Sequence, residues 1–265
     1  MLDRPLETVL KKDRVVILSA LAGISALAWA YMLYLAWAMD SMDMGSAEIL
    51  MDQVMPQMQA WGPVELFLTF VMWAIMMVAM MVPSAAPMIL LFATINRKRR
   101  QQDRPYVASG VFLFGYLVIW TLFSALATLA QWGLHSAALL SPMMVSTNPI
   151  LGSTLLIAAG VFQWTPLKHA CLAHCRAPFE FLMSDWREGN HGAFIMGLKH
   201  GTYCLGCCWF LMALLFVAGV MNPLWVAAIA LFVLVEKVVP GGTVVGRVTG
   251  AVLVAAGIVL LTRGF

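Results

Sequence analysis

Residues 64–95 read VELFLTFVMWAIMMVAMMVPSAAPMILLFATI. Within them the stretch Met72-Trp73-Ala74-Ile75-Met76-Met77-Val78-Ala79-Met80-Met81-Val82-Pro83-Ser84-Ala85-Ala86-Pro87-Met88 carries no charge. The run is longer than the ~20 apolar residues a helix needs to cross the hydrocarbon core of a bilayer. The rest of the chain agrees with it. Of 265 residues, 62% are hydrophobic and 11% charged, and the mean hydropathy is +0.87. So much apolar surface does not fit inside a water-soluble fold of this size. The fold class that follows is all-α: a polytopic transmembrane helical bundle, one membrane domain over residues 1–265, in a multi-pass inner (plasma) membrane of bacterial type.

Seven spans are expected, near Val15–Met39, Val64–Ile95, Tyr106–Gly133, Ile150–Pro166, Ala193–Met221, Pro223–Val239 and Val244–Thr262. A six-span arrangement would need the last two to merge or one to be re-entrant. Charge segregates between the spans. Arg4, Lys11, Lys12 and Arg14 precede the first, and Arg97, Lys98, Arg99, Arg100 and Arg104 follow the second. Lys168, Arg176 and Arg187 follow the fourth, whereas Asp40, Asp43, Glu48 and Asp52 stand alone in the first loop. Basic loops stay in the cytoplasm, so the pattern expects N-in/C-out. The first span is longer than a signal-peptide core and ends at Trp37, which reads as a retained helix. Gly242, Gly246 and Gly250 recur every fourth residue, as on a helix face packed closely against a neighbour.

Twelve of the 20 methionines lie between Met39 and Met88. Met39, Met42, Met44, Met51, Met55 and Met58 fall in the acidic, Met-rich loop expected at 40–63 on the non-cytoplasmic side. Thioethers bind Cu(I) and Ag(I) and have little affinity for hard divalent ions. The alternative is an amphipathic segment lying against lipid. In the second span Met72, Met76 and Met80 form one i, i+4 row and Met77 and Met81 another, with Met88 beyond. Pro83 and Pro87 are expected to break or kink that helix, with Ser84 a candidate to satisfy freed backbone groups. The rows read as a thioether ladder or as ordinary core packing, since methionine fills cores well.

All five cysteines lie in the Cys/His segment 168–208. Lys168-His169-Ala170-Cys171-Leu172-Ala173-His174-Cys175 puts Cys171 and Cys175 one turn apart beside His174, on a short helix after Pro166. His169 shares their side only if that helix is distorted. In the fifth span Met196, His200, Cys204 and Cys208 share one face, with Cys207 beside them. Gly197, Gly201 and Gly206 keep this helix slim. Lys199 is a charge within the span and a candidate to support a thiolate. A structural zinc site would want polar, solvent-facing loops. A thiol–disulfide site would sit near an oxidising face. Soft-metal binding explains the cluster best, with redox chemistry and inert packing as alternatives. Whether the two cysteine groups form one site or two in series stays open.

Several stretches carry a resemblance. They are residues 80–88, Gln163-Trp164-Thr165-Pro166-Leu167-Lys168 through Cys175-Arg176, Gly201 through Cys208-Trp209, Met221-Asn222, and Glu236-Lys237-Val238-Val239-Pro240. Together they resemble a family known only as predicted metal-binding integral membrane proteins, over about Trp61 to Gly241. The resemblance implies metal binding. It marks Pro83, Pro87, Cys171, Cys175, Cys204, Cys207 and Cys208 as signature positions without giving them roles.

Glu236-Lys237 reads as an interfacial pair closing the sixth span, and His135 and His191 as isolated. No phosphate loop is present. The functional expectation is a Cu(I)-handling membrane protein and not an enzyme, moving copper through methionine and then cysteine and histidine sites. Zinc, or no metal, stays possible. The expected partners are the lipid bilayer and a cytoplasmic metal acceptor or another membrane protein, with an oligomer possible and no nucleic acid. The alternatives are a membrane thiol–disulfide oxidoreductase and a metal-delivery factor for another membrane complex.

Overall fold

A computed structural model describes residues 3–50, 61–100, 108–137, 139 and 148–263, with side chains placed at 14–38, 61–99, 108–137, 139 and 148–263. Among these residues every regular element is a helix: α1 (Asp3–Leu50), α2 (Pro63–Arg100), α3 (Ser109–Ser136), α4 (Pro149–Phe162), α5 (Pro166–Arg176), α6 (Pro178–Ser184), α7 (Gly189–Ala213), α8 (Leu215–Ala218), α9 (Pro223–Val238) and α10 (Gly242–Arg263). Helix starts follow local chemistry. Proline opens α4, α5 and α9, where its missing N–H costs nothing. The residue before each is a side-chain cap. Asn148 accepts from the Ile150 amide at 2.9 Å, Thr165 from Lys168 at 3.3 Å and Asn222 from Leu224 at 3.1 Å.

Among the described residues five helices are long and apolar enough to cross a membrane, in the segments Arg14–Ala38, Pro63–Arg99, Ser109–Ser136, Gly189–Ala218 and Gly242–Arg263. A sixth passes only if α4 and α5, bent by 63°, count as one broken span. The seven expected spans are therefore not all of full length. At 1.5 Å per residue, the 14 residues of α4 and 16 of α9 reach only about 21 and 24 Å.

Two further expectations change. Helix α2 runs unbroken through Pro83 and Pro87. Beside them the Met81 carbonyl accepts from both Ser84 Oγ at 3.0 Å and Tyr116 Oη at 3.2 Å. The helical backbone of α1 continues to Leu50, so residues 40–50 are not loop. Met39, Met42 and Met44 lie on that helix at positions where side chains are outside the described set, and Met51, Met55 and Met58 lie outside the described residues altogether.

Glycines set the closest approaches. A Cβ on Gly115 would strike the Phe194 carbonyl, and one on Gly197 the Phe112 carbonyl, so α3 and α7 meet backbone to backbone. On the other side α4 crosses α10. A Cβ on Gly160 would lie 2.6 Å from the Gly250 carbonyl. The Gly242, Gly246 and Gly250 face packs as its spacing expects.

The helix directions of the bundle follow from its ends. Val16, Arg97 and Ser109 line one cavity, and Arg99 reaches Glu188 at 3.5 Å, so the start of α1, the end of α2 and the starts of α3 and α7 share one end. At the opposite end Gly152 of α4 packs on Val217 and on Leu260 of α10.

Replacing Gly197 with leucine should therefore force α3 from α7 and destabilise the fold by about 1–3 kcal/mol or more. Gly110→Ala, where nothing lies within 4 Å of the new Cβ, should leave stability unchanged. Thermal denaturation of both variants in detergent checks this pair.

Candidate metal centre

The α7 face expected from spacing is buried as a unit. Met196, Cys204, Cys207 and Cys208 are at most 1% exposed and His200 is 3% exposed. Helix α5 lies against this face because Gly206 leaves a gap there. A Cβ on Gly206 would sit 2.7 Å from Cys171 Sγ. One turn on, the Cys175 thiol interacts with Cys204 and Cys207, and the Cys208 thiol with the same two. The two cysteine groups thus converge in one cluster, with Cys171 half-exposed at its rim. Cys207 and Cys208 donate to the Cys204 carbonyl at 3.1 and 2.9 Å, which orients both sulfurs along the helix.

Two residues that the sequence did not assign to the site contact Cys204. Tyr116 Oη of α3 lies 3.1 Å from its sulfur and also donates to the Met81 carbonyl. Lys237 Nζ of α9 donates to the Cys204 sulfur at 2.8 Å and to Ser84 Oγ at 3.2 Å. The signals were present in the chain. Lys237 is an ionisable group inside an apolar segment, and Tyr116 sits mid-helix, away from the ends where a tyrosine usually anchors.

The methionines of α2 turn inward. Met72, Met76, Met77, Met80, Met81 and Met88 are each at most 4% exposed and belong to the same apolar core as Cys204, Cys207 and Cys208. The Met81 backbone stands one tyrosine away from the Cys204 sulfur. Burial of this kind suits both core packing and a row of thioether ligands.

Histidines divide. His200 stacks against Phe112 and Tyr116 of α3, with centroids 6.0 and 5.5 Å away, and its Nδ1 has no hydrogen-bond partner among the described residues. His174 is exposed, its Nδ1 2.9 Å from the Ala170 carbonyl and its ring stacked on Tyr203 at 4.1 Å. His169 is half-buried on α5 outside the α7 face.

Four charged residues depart from their expected places. Lys199 points to Asp185 at 2.5 Å with 39% of its side chain exposed, so it does not support the thiols. Glu236 and Lys237 do not pair with each other, because adjacent helical residues point to different sides. Lys237 goes to Cys204. Glu236 goes to Lys168, 2.7 Å away, with both side chains at most 2% exposed. Lys168 is thus a buried partner and not a surface charge. It also donates to the Gln163 side chain, while Arg176 donates to the Glu236 carbonyl and, at 3.0 Å, to that of Pro240. A Cβ on Gly246 would strike the Glu236 carboxylate, so the glycine face of α10 makes room for the ion pair.

Among the described residues no three His, Cys, Asp or Glu side chains stand in the geometry of a formed metal site. The sulfurs are instead arranged around Lys237 and Tyr116. The donor set itself is soft: four thiols and no carboxylate, since Glu236 is taken by Lys168. That chemistry fits a cuprous ion and not calcium or magnesium.

The PpoB2 family, described as a copper chaperone, matches residues 70–260. The chain belongs to this copper chaperone family. The match spans the α2 methionine rows, both cysteine helices and Lys237. It narrows the metal-binding resemblance of the sequence to copper. Comparisons with curated proteins and with solved structures each find no match.

Breaking the Lys168–Glu236 pair from one side should be costly. Glu236→Gln leaves a buried ammonium without its counter-ion and should destabilise the protein by about 3–5 kcal/mol. Lys168→Met combined with Glu236→Gln should recover most of that loss in the same denaturation assay.

Proposed function

We propose that this copper chaperone family member is an integral membrane protein that binds Cu(I) at Cys175, Cys204, Cys207 and Cys208 and hands it to an acceptor. The observation that carries the reading is the convergence of thiols from α5 and α7 in a buried, carboxylate-free site. Thiolates prefer soft monovalent ions, and the buried surroundings exclude water and oxidants.

The α2 methionines supply the approach. Thioethers hold Cu(I) more weakly than thiolates, so transfer from the Met72–Met81 rows to the cysteines runs downhill. His200, one turn before Cys204, is the nitrogen donor within reach of the same face. Cys171, half-exposed at the rim, is the release point toward a partner, which is a cytoplasmic metal acceptor or another membrane protein. Carriage across the membrane is the further step of this reading. The end of the bundle that bears Arg97, Lys98 and Arg99 faces the cytoplasm under the positive-inside rule, which supports N-in/C-out. On that orientation Cys204 lies about 22 Å from the cytoplasmic start of α7, near mid-depth. The short α9 and the bent α4–α5 pair then complete seven passes.

Elemental analysis after anaerobic Cu(I) loading of the detergent-purified protein tests the binding. About one copper per chain is expected to survive desalting, and Cys204→Ser combined with Cys207→Ser should lose it. Copper retained equally by the variant, or none bound by the unmodified chain, contradicts the reading. Uptake of Cu(I) by proteoliposomes then separates carriage across the membrane from binding alone.

A further inference from the structure

His200 is buried with a bare nitrogen. It is 3% exposed, and its Nδ1 has no hydrogen-bond partner among the described residues. Burying a polar atom without a partner is costly, so an unpaired one marks a place for an occupant. The walls around the ring do not supply it. They are the rings of Phe112, Tyr116 and Phe181, with centroids 6.0, 5.5 and 5.9 Å away. The Tyr116 hydroxyl is already shared between the Met81 carbonyl and the Cys204 sulfur.

One turn earlier on the same face of α7 stands Met196, 0% exposed. Side chains four apart on a helix are neighbours, with about 5–6 Å between Cβ atoms, so a thioether and an imidazole are offered together. An imidazole nitrogen and a thioether, with no carboxylate beside them, suit a soft cation such as Cu(I) or Ag(I). Resting on the proposed function for the choice of metal, we propose that Met196 and His200 form a second soft-metal site, distinct from the cysteine cluster. Thioether and imidazole are weaker ligands for Cu(I) than thiolates, so this site holds its ion less tightly than the cysteines hold theirs. Its place in the bundle gives it a use. Met196 and His200 lie about 10 and 16 Å from the start of α7, against about 22 Å for Cys204. The second site therefore stands on the side of the thiols that faces the end bearing Arg99. From Phe112 a row of stacked rings, Phe92 and then Trp186, leads on to the Arg99 guanidinium, 4.5 Å from the Trp186 ring.

Titration of the full chain with Ag(I), in detergent and kept anaerobic, tests this by NMR of carbon-labelled methionine methyls and nitrogen-labelled histidine rings. The early additions should close the cysteines to Ellman's reagent. Later additions should shift the Met196 methyl and the His200 ring nitrogens together, with Met196→Leu assigning the methyl resonance. His200→Phe keeps the aromatic packing and removes the nitrogens, and it should abolish the shift at Met196. A Met196 methyl that never moves, or one that still moves in His200→Phe, overturns the second site. So does a His200 nitrogen that moves with the early additions while Met196 stays still, which assigns the histidine to the cysteine cluster. Should His200→Phe fail to fold, joint movement of the two resonances in the unmodified chain decides alone. Cysteines that stay open to Ellman's reagent throughout contradict the thiol site. The Met196 and His200 site then stands if its two resonances move together and falls if they do not.

Discussion

An ammonium group 2.8 Å from a cysteine sulfur, in the interior of a bundle of apolar helices, constrains everything around it. A buried lysine must find partners for its charge and its protons. Cys204 and Ser84 provide them, and they belong to different helices. Tyr116 adds a third helix by bridging Cys204 to the Met81 carbonyl. Helices α2, α3, α7 and α9 are therefore tied together at the point where the sulfurs gather. The same contact accommodates a lysine in a segment that is, Glu236 aside, apolar from Leu224 to Val238.

A buried ion pair supports this contact from the other face of α9's end. Lys168 starts α5, the helix that carries Cys171 and Cys175, and Glu236 precedes Lys237 on α9. Their contact fixes α5 and α9 relative to each other, so that Cys175 meets Cys204 on one side while Lys237 meets it on another. Room for the pair comes from α10, where Gly246 faces the Glu236 carboxylate without a side chain. A glycine face that reads in sequence as plain helix packing thus also serves a charge network.

Much of this was legible in the chain. Long apolar runs announced the helices, the i, i+4 spacing of Met196, His200, Cys204 and Cys208 announced a buried face, and glycines on α7 and α10 announced close crossings. What stayed hidden depends on three dimensions. The bend between α4 and α5 brings Cys175 back to α7, and nothing in the spacing of Cys171 and Cys175 fixes that direction. Glu236 and Lys237 look like each other's partners because they are adjacent. Only their partners on two other helices, Lys168 of α5 and Cys204 of α7, separate them. Lys199 misled for the same reason, since its partner Asp185 lies in the turn before α7 and draws it toward the surface. The two prolines of α2 do not end the helix, which passes through both without interruption.

The central claim is that copper is held by sulfur alone or by sulfur with one histidine nitrogen. X-ray absorption at the copper edge of the Cu(I)-loaded, detergent-purified protein examines that most directly. A first shell dominated by sulfur at about 2.2–2.3 Å, with at most one nitrogen, is the result this account predicts. A first shell of nitrogen and oxygen donors would contradict it.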